Sequence, residues 1–417
     1  MKLEIGFGTK PQQVDIPDRN LIGVLEPNQV EIAGKGEPVV VCAMQNPIGT
    51  SKLGEIVKPG EKVVIITSDI TRPVPSCKII PTVLEELWQA GAKAEDVTIV
   101  FALGSHRVQT PVEMKKLVGE TVYDQIRCID SDPHDFVHMG TTKLGTPVDV
   151  TRVVAEADRR IGIGNIEYHY FAGYSGGAKA IMPGVSTRAA IQSNHSRMVL
   201  PEAAAGKLEG NPVRMDIEEA IQYCHIDFIV NVVLDEHKEI ISAVAGHYIQ
   251  AHRAGCQFLD SLYRKEIDER ADIVLVSQGG APKDLNLYQT QKALDNAKHA
   301  VKKGGIIILV GSCKEGLGEE VFEEWMVGSQ TASSMITRIQ EDFQLGGHKA
   351  AAIALVLENN HIYLVSEMDP AFVRGIFLQP YSTAQTALDA AFAKLGRDAS
   401  VLVMPYGGST LPIVKQQ

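Results

Sequence analysis

The feature that most restricts how this chain can fold is an alternation that runs through most of its length. Short runs of β-branched and aliphatic residues are followed by stretches whose apolar residues recur at helical spacing. Residues 62–67 (Lys-Val-Val-Ile-Ile-Thr) and 97–102 (Val-Thr-Ile-Val-Phe-Ala) read as buried strands, and 160–164 as a weaker one. The spacing predicts a helix over 76–90 with Gly91 at its C′ position, and another opening near Thr110-Pro111. The pattern then restarts, with a strand at 272–277, a helix over 285–302, a strand at 305–310 and a last apolar run at 401–404. Strands alternating with helices make an α/β protein with a parallel or mixed sheet. The polar segment Tyr263-Arg264-Lys265-Glu266 marks a boundary between the two series. The fold expected is two α/β domains with an active-site cleft between them. They would be an N-terminal domain of residues 1–265, joined by a returning segment 405–417, and a C-terminal domain of residues 266–404.

Composition narrows the class of function. With 40 basic and 51 acidic residues the net charge is −11, which argues against a nucleic-acid partner. No run approaches 18 apolar residues, so no membrane span is expected. Residues Met1 to Gly6 alternate like a strand and lack the apolar centre of a signal peptide, which points to the cytoplasm. The 6 cysteines are far apart with no CxxC pair, the usage of reduced thiols.

Polar residues concentrate just beyond the expected strands, where open α/β sheets bind ligands. After the first comes Ser68-Asp69-Ile70-Thr71-Arg72-Pro73. Arg72 can grip a carboxylate or phosphate with two hydrogen bonds, and Asp69 can orient it or hold a ribose hydroxyl. The same residues also suit a capped surface turn. After the second comes Gly104-Ser105-His106-Arg107, where His106 suits a general base or a structural hydrogen bond to a loop.

The third segment, from Tyr168 to Gly184, is the most unusual. It holds His169, Ser175 and Lys179 among closely spaced glycines, a density that suggests backbone approaching a planar or anionic group. A desolvated Lys179 would be a nucleophile or an anion site. The P-loop spacing is absent, but Gly173-Tyr174-Ser175-Gly176-Gly177 satisfies the G-x-S-x-G pattern of serine hydrolases. That alternative would pair Ser175 with Asp227 or Asp235 and with His247. Further on, Ser186 is a plausible N-cap for a helix bearing Ile191 and His195. A metal on His195 would need most of its ligands from a cofactor, because no second histidine or cysteine accompanies it at ligand spacing. In the second series, Tyr288, Gln289 and Lys292 fall near one face at the start of a helix, a good carboxylate site. Arg72 and Lys292 would also serve a non-catalytic anion-binding protein.

These segments, taken in order, resemble the nickel-pincer lactate racemase family over the whole chain. His169 stands ten residues before Lys179 and His195 sixteen after it, with G-x-S-G-G-x-K and a later Pro-Gly between the histidines. Asp-x-Thr-Arg-Pro, Gly-Ser-His-Arg and Tyr-Gln-x-x-Lys stand in the family's order. The resemblance implies a nickel-pincer nucleotide, a nickel-bearing pyridinium-3-thioamide-5-thiocarboxylic acid mononucleotide, covalently bound to Lys179. It implies His195 as the protein's metal ligand, and Asp69 and Thr71 near the cofactor's ribose phosphate. His106 and His169 would be acid and base on opposite sides of a 2-hydroxy acid. Arg72, Tyr288, Gln289 and Lys292 would bind that substrate. The implied activity is racemisation of lactate or a larger 2-hydroxy acid through a transient 2-keto acid, with cofactor-synthesis proteins as partners for activation.

Two features depart from the family. Ala178 precedes Lys179 where a basic residue is common. The tryptophan of lactate-specific members has no counterpart near Gly346-Gly347-His348-Lys349, since Trp88 and Trp325 lie elsewhere in the chain. A pocket without that indole would take an acid larger than lactate.

Overall fold

The computed structural model describes residues 1–235 and 237–415. The chain divides into two compact units, one formed by Val30–Asp260 and the other by Met1–Gln29 together with the residues from Ser261 onward. Among the described residues, no helix is long and apolar enough to cross a membrane.

The unit 30–260 is built on a six-stranded sheet. Its order is Ile240–Gly246, Phe228–Leu234, Arg159–Asn165, Val63–Ser68, Val97–Ala102 and Arg127–Asp130. Every neighbouring pair is parallel except the first. The strands are apolar on both faces because both are covered. Ile65, aligned with Ile99 and Ile161, packs with Ile79, Ile80, Val83 and Leu87 of the helix Ser76–Gln89. That helix ends where expected, with Gly91 left-handed at φ 87°. Thr110 caps the helix Pro111–Val118 in a reciprocal capping box with Glu113.

The order of these strands places the site. The chain steps from Val63–Ser68 outward to Val97–Ala102 and Arg127–Asp130, then returns to lay Arg159–Asn165 on the opposite side of Val63–Ser68. Loops leaving the carboxyl ends of Val63–Ser68 and Arg159–Asn165 therefore diverge and leave a crevice.

The other unit has its own six-stranded, wholly parallel sheet. Its order is Gln379–Tyr381, His361–Val365, Val301–Val310, Ala271–Ser277, Val401–Met404 and Leu21–Val24. Ile273, Leu275, Ile306, Ile308 and Val403 pack against Leu388 and Ala391 of the helix Ala384–Leu395, and Ile5 and Val14 of an N-terminal hairpin join them.

This partition corrects the expected boundaries. The first 29 residues belong with the second series, because Leu21–Val24 pairs beside Val401–Met404. The segment expected to return to the first series, as far as its described residues 405–415 go, stays with the second: Leu411–Val414 pairs in parallel with Arg264–Ile267. The helix expected over 285–302 ends at Ala297, and Val301 already pairs with Ala271 of the sheet. Ser186 is not the N-cap of the helix bearing His195. Thr187 accepts the Ala190 N–H, while the Ser186 hydroxyl donates to the Ile181 carbonyl.

Candidate active site

Asp69 follows the strand Val63–Ser68 and is fully covered, with 1% of its surface exposed. Its Oδ1 accepts the Thr71 N–H at 3.0 Å and the Thr71 hydroxyl at 2.6 Å. Its Oδ2 lies 2.5 Å from His106 Nδ1. Burial opposes ionisation of Asp69, but the hydrogen bonds from His106 and Thr71 outweigh it and hold the carboxyl below its ordinary range. A carboxylate only accepts, so it fixes the His106 proton on Nδ1 and makes Nε2 the basic nitrogen. His106 reaches Asp69 because Gly104, left-handed at φ 56°, turns the loop after Val97–Ala102 and donates its N–H to the Gly184 carbonyl at 2.9 Å. Arg107 faces away, doubly paired with Glu113. Arg72 is exposed, its backbone N–H closing a turn onto the Asp69 carbonyl.

Beyond Arg159–Asn165, Tyr168–His169 pairs antiparallel with Gly173–Tyr174. The tip of this small hairpin is Tyr170-Phe171-Ala172. The Tyr168 and Tyr174 hydroxyls both donate to Asp260 Oδ1. Buried Arg214 ties the second strand from behind, donating to the carbonyls of Ala172 and Tyr174. The Phe171 ring is the hub: it meets the His169 ring edge-on at 4.5 Å, the His195 ring at 4.9 Å, and Lys179 Nζ at 5.9 Å. The structure thus brings His169, Lys179 and His195 around one aromatic side chain.

The glycine density has a different cause from the one expected. A side chain at Gly173 would strike the Lys207 carbonyl at 2.2 Å, and one at Gly177 the His252 ring at 2.9 Å. These glycines let the hairpin and the turn bearing Lys179 press against the protein itself.

Lys179 sits in the short 3-10 turn Gly177–Ala180. It keeps some surface open to solvent, yet protein crowds it closely enough that desolvation leads in pushing its pKa well down. The Arg214 and Arg72 cations add to that push, and Glu167 opposes it. Among the described residues no hydrogen bond or ion pair is made by its ammonium group. His169 is likewise driven well below the usual imidazole range, first by desolvation and then by Lys179 and Arg72. Its Nδ1 accepts the Ala172 N–H at 3.3 Å, which favours the neutral ring with its proton on Nε2. At His169 the surroundings therefore hold the ring in its neutral form.

His195 ends the helix Arg188–His195, 5% exposed, with Nδ1 2.8 Å from Asn194 Oδ1. Among the described residues, no group of three or more His, Cys, Asp or Glu side chains is assembled to hold a metal ion.

The hydrolase arrangement is absent. The Ser175 hydroxyl donates to the Asn165 carbonyl and accepts the Glu167 N–H. Asp227 is engaged by Arg159 and Arg160, Asp235 by Lys35, and His247 Nδ1 by the Ile249 N–H.

In the unit containing residues 261 onward, Asn286 caps the helix Leu287–Ala297 by accepting the Gln289 N–H. Tyr288, Gln289 and Lys292 lie on its less covered side, as their spacing predicts, while Thr290, Gln291, Ala293 and Leu294 are buried. Lys349 donates to the Tyr288 carbonyl and its ammonium group sits 3.8 Å from the centre of the Tyr288 ring. Trp325 is fully buried and packs on Gly347, where a Cβ would meet the indole at 2.5 Å.

Sequence reasoning missed Phe171, Asn194, Arg214 and Asp216. One signal was available: Asp216 lies at helical spacing from Val213 and Ala220, so it shares their covered face.

The whole chain has known relatives. The lactate racemase N-terminal domain matches residues 7–206 and the lactate racemase C-terminal domain residues 267–411. The lactate racemase of Thermoanaerobacterium thermosaccharolyticum is 33% identical, over 98% of this chain and 98% of that protein. That of Lactiplantibacillus plantarum is 32% identical over 97% and 98%. The solved lactate racemase apoprotein of T. thermosaccharolyticum superposes with a TM-score of 0.87 over 100% of both chains at 33% identity. A Thermotoga maritima protein of 19% identity shares the fold, with a TM-score of 0.62 over 91% of this chain and 98% of that one. The chain belongs to the lactate racemase family, a family of isomerases.

Proposed function

We propose that this protein interconverts the enantiomers of lactate or of a larger 2-hydroxy acid, with a nickel-pincer nucleotide held by Lys179 and His195. The observation that carries the reading is the cluster around Phe171: a desolvated lysine and a buried histidine on one ring, with a third side chain, His169, that can exchange protons. The residues fit such a group. Lowering the Lys179 pKa raises its neutral fraction, the form needed to bond an acyl-type carbon. Since Asn194 engages His195 Nδ1, Nε2 is the nitrogen that would ligate nickel. The remaining donors would come from the nucleotide, as in a site with one protein ligand. Asp69 and Thr71 are proposed to lie near its ribose phosphate.

When bound, the nucleotide would supply reversible uptake of the substrate's Cα hydrogen together with its electron pair. The protein supplies the proton chemistry. His106 Nε2 takes the substrate hydroxyl proton, and Asp69 stabilises the imidazolium that forms. His169 serves the opposite enantiomer. To take a proton on Nε2 it must give up its 3.3 Å contact with Ala172 and carry its ring proton on Nδ1. An uncharged linkage on Lys179 removes one of the cations that hold His169 neutral. Arg72, Tyr288, Gln289 and Lys292 are proposed to bind the substrate, the cations meeting its carboxylate. Cofactor-synthesis proteins are the proposed partners for activation. The larger-substrate reading rests on the sequence, on the lack of a matching tryptophan in the run Gly346-Gly347-His348-Lys349, although the structure packs Trp325 against Gly347.

The test is protein produced with the cofactor-synthesis proteins and nickel, offered each enantiomer of lactate and of several longer 2-hydroxy acids. Either enantiomer should give the same final mixture, with a mass adduct on Lys179 and nickel that is lost in His195→Ala. Nickel-loaded protein that interconverts none of these acids would defeat the activity. Nickel retained at full stoichiometry in His195→Ala would defeat the ligand assignment.

A further inference from the structure

We propose that Asn194 and Asp216 form a hydrogen-bond relay of fixed direction that sets the tautomer of His195. Its use rests on the reading of His195 as the metal ligand, but the tautomer is a property of the chain alone. A neutral imidazole that ligates through Nε2 must carry its proton on Nδ1, and something beyond the ring must impose that choice.

The relay begins at Asp216, on the helix Pro212–Ala220 and 1% exposed. Its Oδ1 receives the Thr142 hydroxyl at 2.5 Å and its Oδ2 the Thr146 hydroxyl at 2.6 Å. Both hydroxyl hydrogens are committed to it. Thr142 Oγ1 already accepts the Thr146 N–H at 3.1 Å, and Thr146 Oγ1 accepts from Arg197 Nη1 at 3.2 Å. The Arg197 guanidinium also lies 3.6 Å from Asp216 Oδ2. This carboxylate can only accept.

The next link is an amide whose two ends differ chemically and must be assigned from their partners. One end of the Asn194 amide faces Asp216 Oδ2 at 2.7 Å and the Val213 carbonyl at 3.2 Å. Both are acceptors, so that end is the amino group, Nδ2. The other end, Oδ1, is thereby turned to His195 Nδ1 at 2.8 Å. An amide oxygen only accepts, so Nδ1 bears the proton. Asn194 and Thr146 are fully buried and His195 nearly so. Water, which donates as readily as it accepts, is thus kept from scrambling the direction.

The relay is tested on unloaded protein labelled with ¹⁵N-histidine, whose ring nitrogens report the tautomer. His195 is assigned by the signals missing in His195→Gln. In the unaltered protein the Nδ1–H form should exceed the other by about tenfold or more, the ratio set by one net hydrogen bond of about 1.4 kcal/mol. Asp216→Ala and Asn194→Ala admit water and should bring the two forms within about threefold of each other. Thr142→Val removes a neighbour of Asp216 but no link, so it should lower stability and leave the tautomer unchanged. An Nε2–H His195 in the unaltered protein overturns the proposal. So does an unchanged ratio in either alanine variant that folds, or an equal shift in Thr142→Val. If Asp216→Ala does not fold, Asn194→Ala alone decides. Should nickel persist in loaded His195→Ala, the metal assignment fails while the tautomer measurement still stands.

Discussion

Asp69 and His106 make a short charge-assisted contact in the candidate site, and two measurements follow from it. Asp69→Asn keeps the shape but removes the charge proposed to stabilise His106 as it takes a proton. In loaded enzyme, kcat should fall by about 10²–10⁴ with a much smaller change in KM; an equal rate in the variant would remove Asp69 from the proton path. Asp69 also has a lowered pKa in the folded state. Its stabilising contribution is therefore present above the unfolded value of about 3.9 and lost as pH falls through the folded one. Urea titrations at decreasing acidic pH should show a shallower loss of stability in Asp69→Asn than in the unaltered chain. Lys179 provides the complementary case. Desolvation is the first influence holding His169 neutral and the Lys179 charge the second. Lys179→Ala should raise the His169 pKa toward about 6.5, read from ring-proton shifts in unloaded protein. An unmoved titration would show that the charge does not reach it.

At the scale of elements, Asn211 joins two functions that are usually separate. Its side-chain oxygen caps the helix Pro212–Ala220 through the Val213 and Arg214 N–H groups, while its amino group donates to the carbonyls of Phe171 and Lys207. Asn211→Ala removes a cap and strands a buried carbonyl beside the hub ring. The cost should be about 2–3 kcal/mol, read as a lower urea midpoint; a change under about 0.5 kcal/mol would mean the hairpin holds itself. Much of this level was legible in the sequence. The buried strands are recognisable because continuous β-branched runs have few other uses, and Thr110 with Glu113 announces its own helix start. Thr187 displaced Ser186 as a cap because Ser186 is drawn to the Ile181 carbonyl, a contact that local spacing does not reveal. The site was legible where the chemistry-bearing residues lie within one loop, as with His169 and Lys179. It was not legible where partners lie far apart in the chain, as Asp69 does from His106 and Thr142 from Asp216.

For the molecule as a whole, chain order and spatial order disagree. The unit 30–260 is continuous and has its own core around Ile65, Ile99 and Ile161. Expressed alone, it should fold and unfold in one cooperative transition followed by circular dichroism. Residues 261–417 without the first 29 lack the Leu21–Val24 strand and the hairpin that covers Ile273 and Ile306, and should aggregate or stay partly unfolded. A well-folded C-terminal fragment would show that the N-terminal strands are ornament to that core. The sequence concealed this because an edge strand of four residues carries little pattern of its own, and nothing local says which sheet it joins.

The pairing of Leu21–Val24 with Val401–Met404 also sets a timetable for synthesis. At about 5–20 residues per second, roughly 20–75 s separate the emergence of the first strand from that of the second. Ile5 and Val14 have no sheet to cover them until Ala271–Ser277 and Val301–Val310 emerge, and Leu21 waits for Val401–Met404, by which time the entire unit bearing Lys179 has left the ribosome. The nascent chain thus carries a finished half bearing Lys179 and an unfinished half at once, and its earliest residues are among the last to find their place.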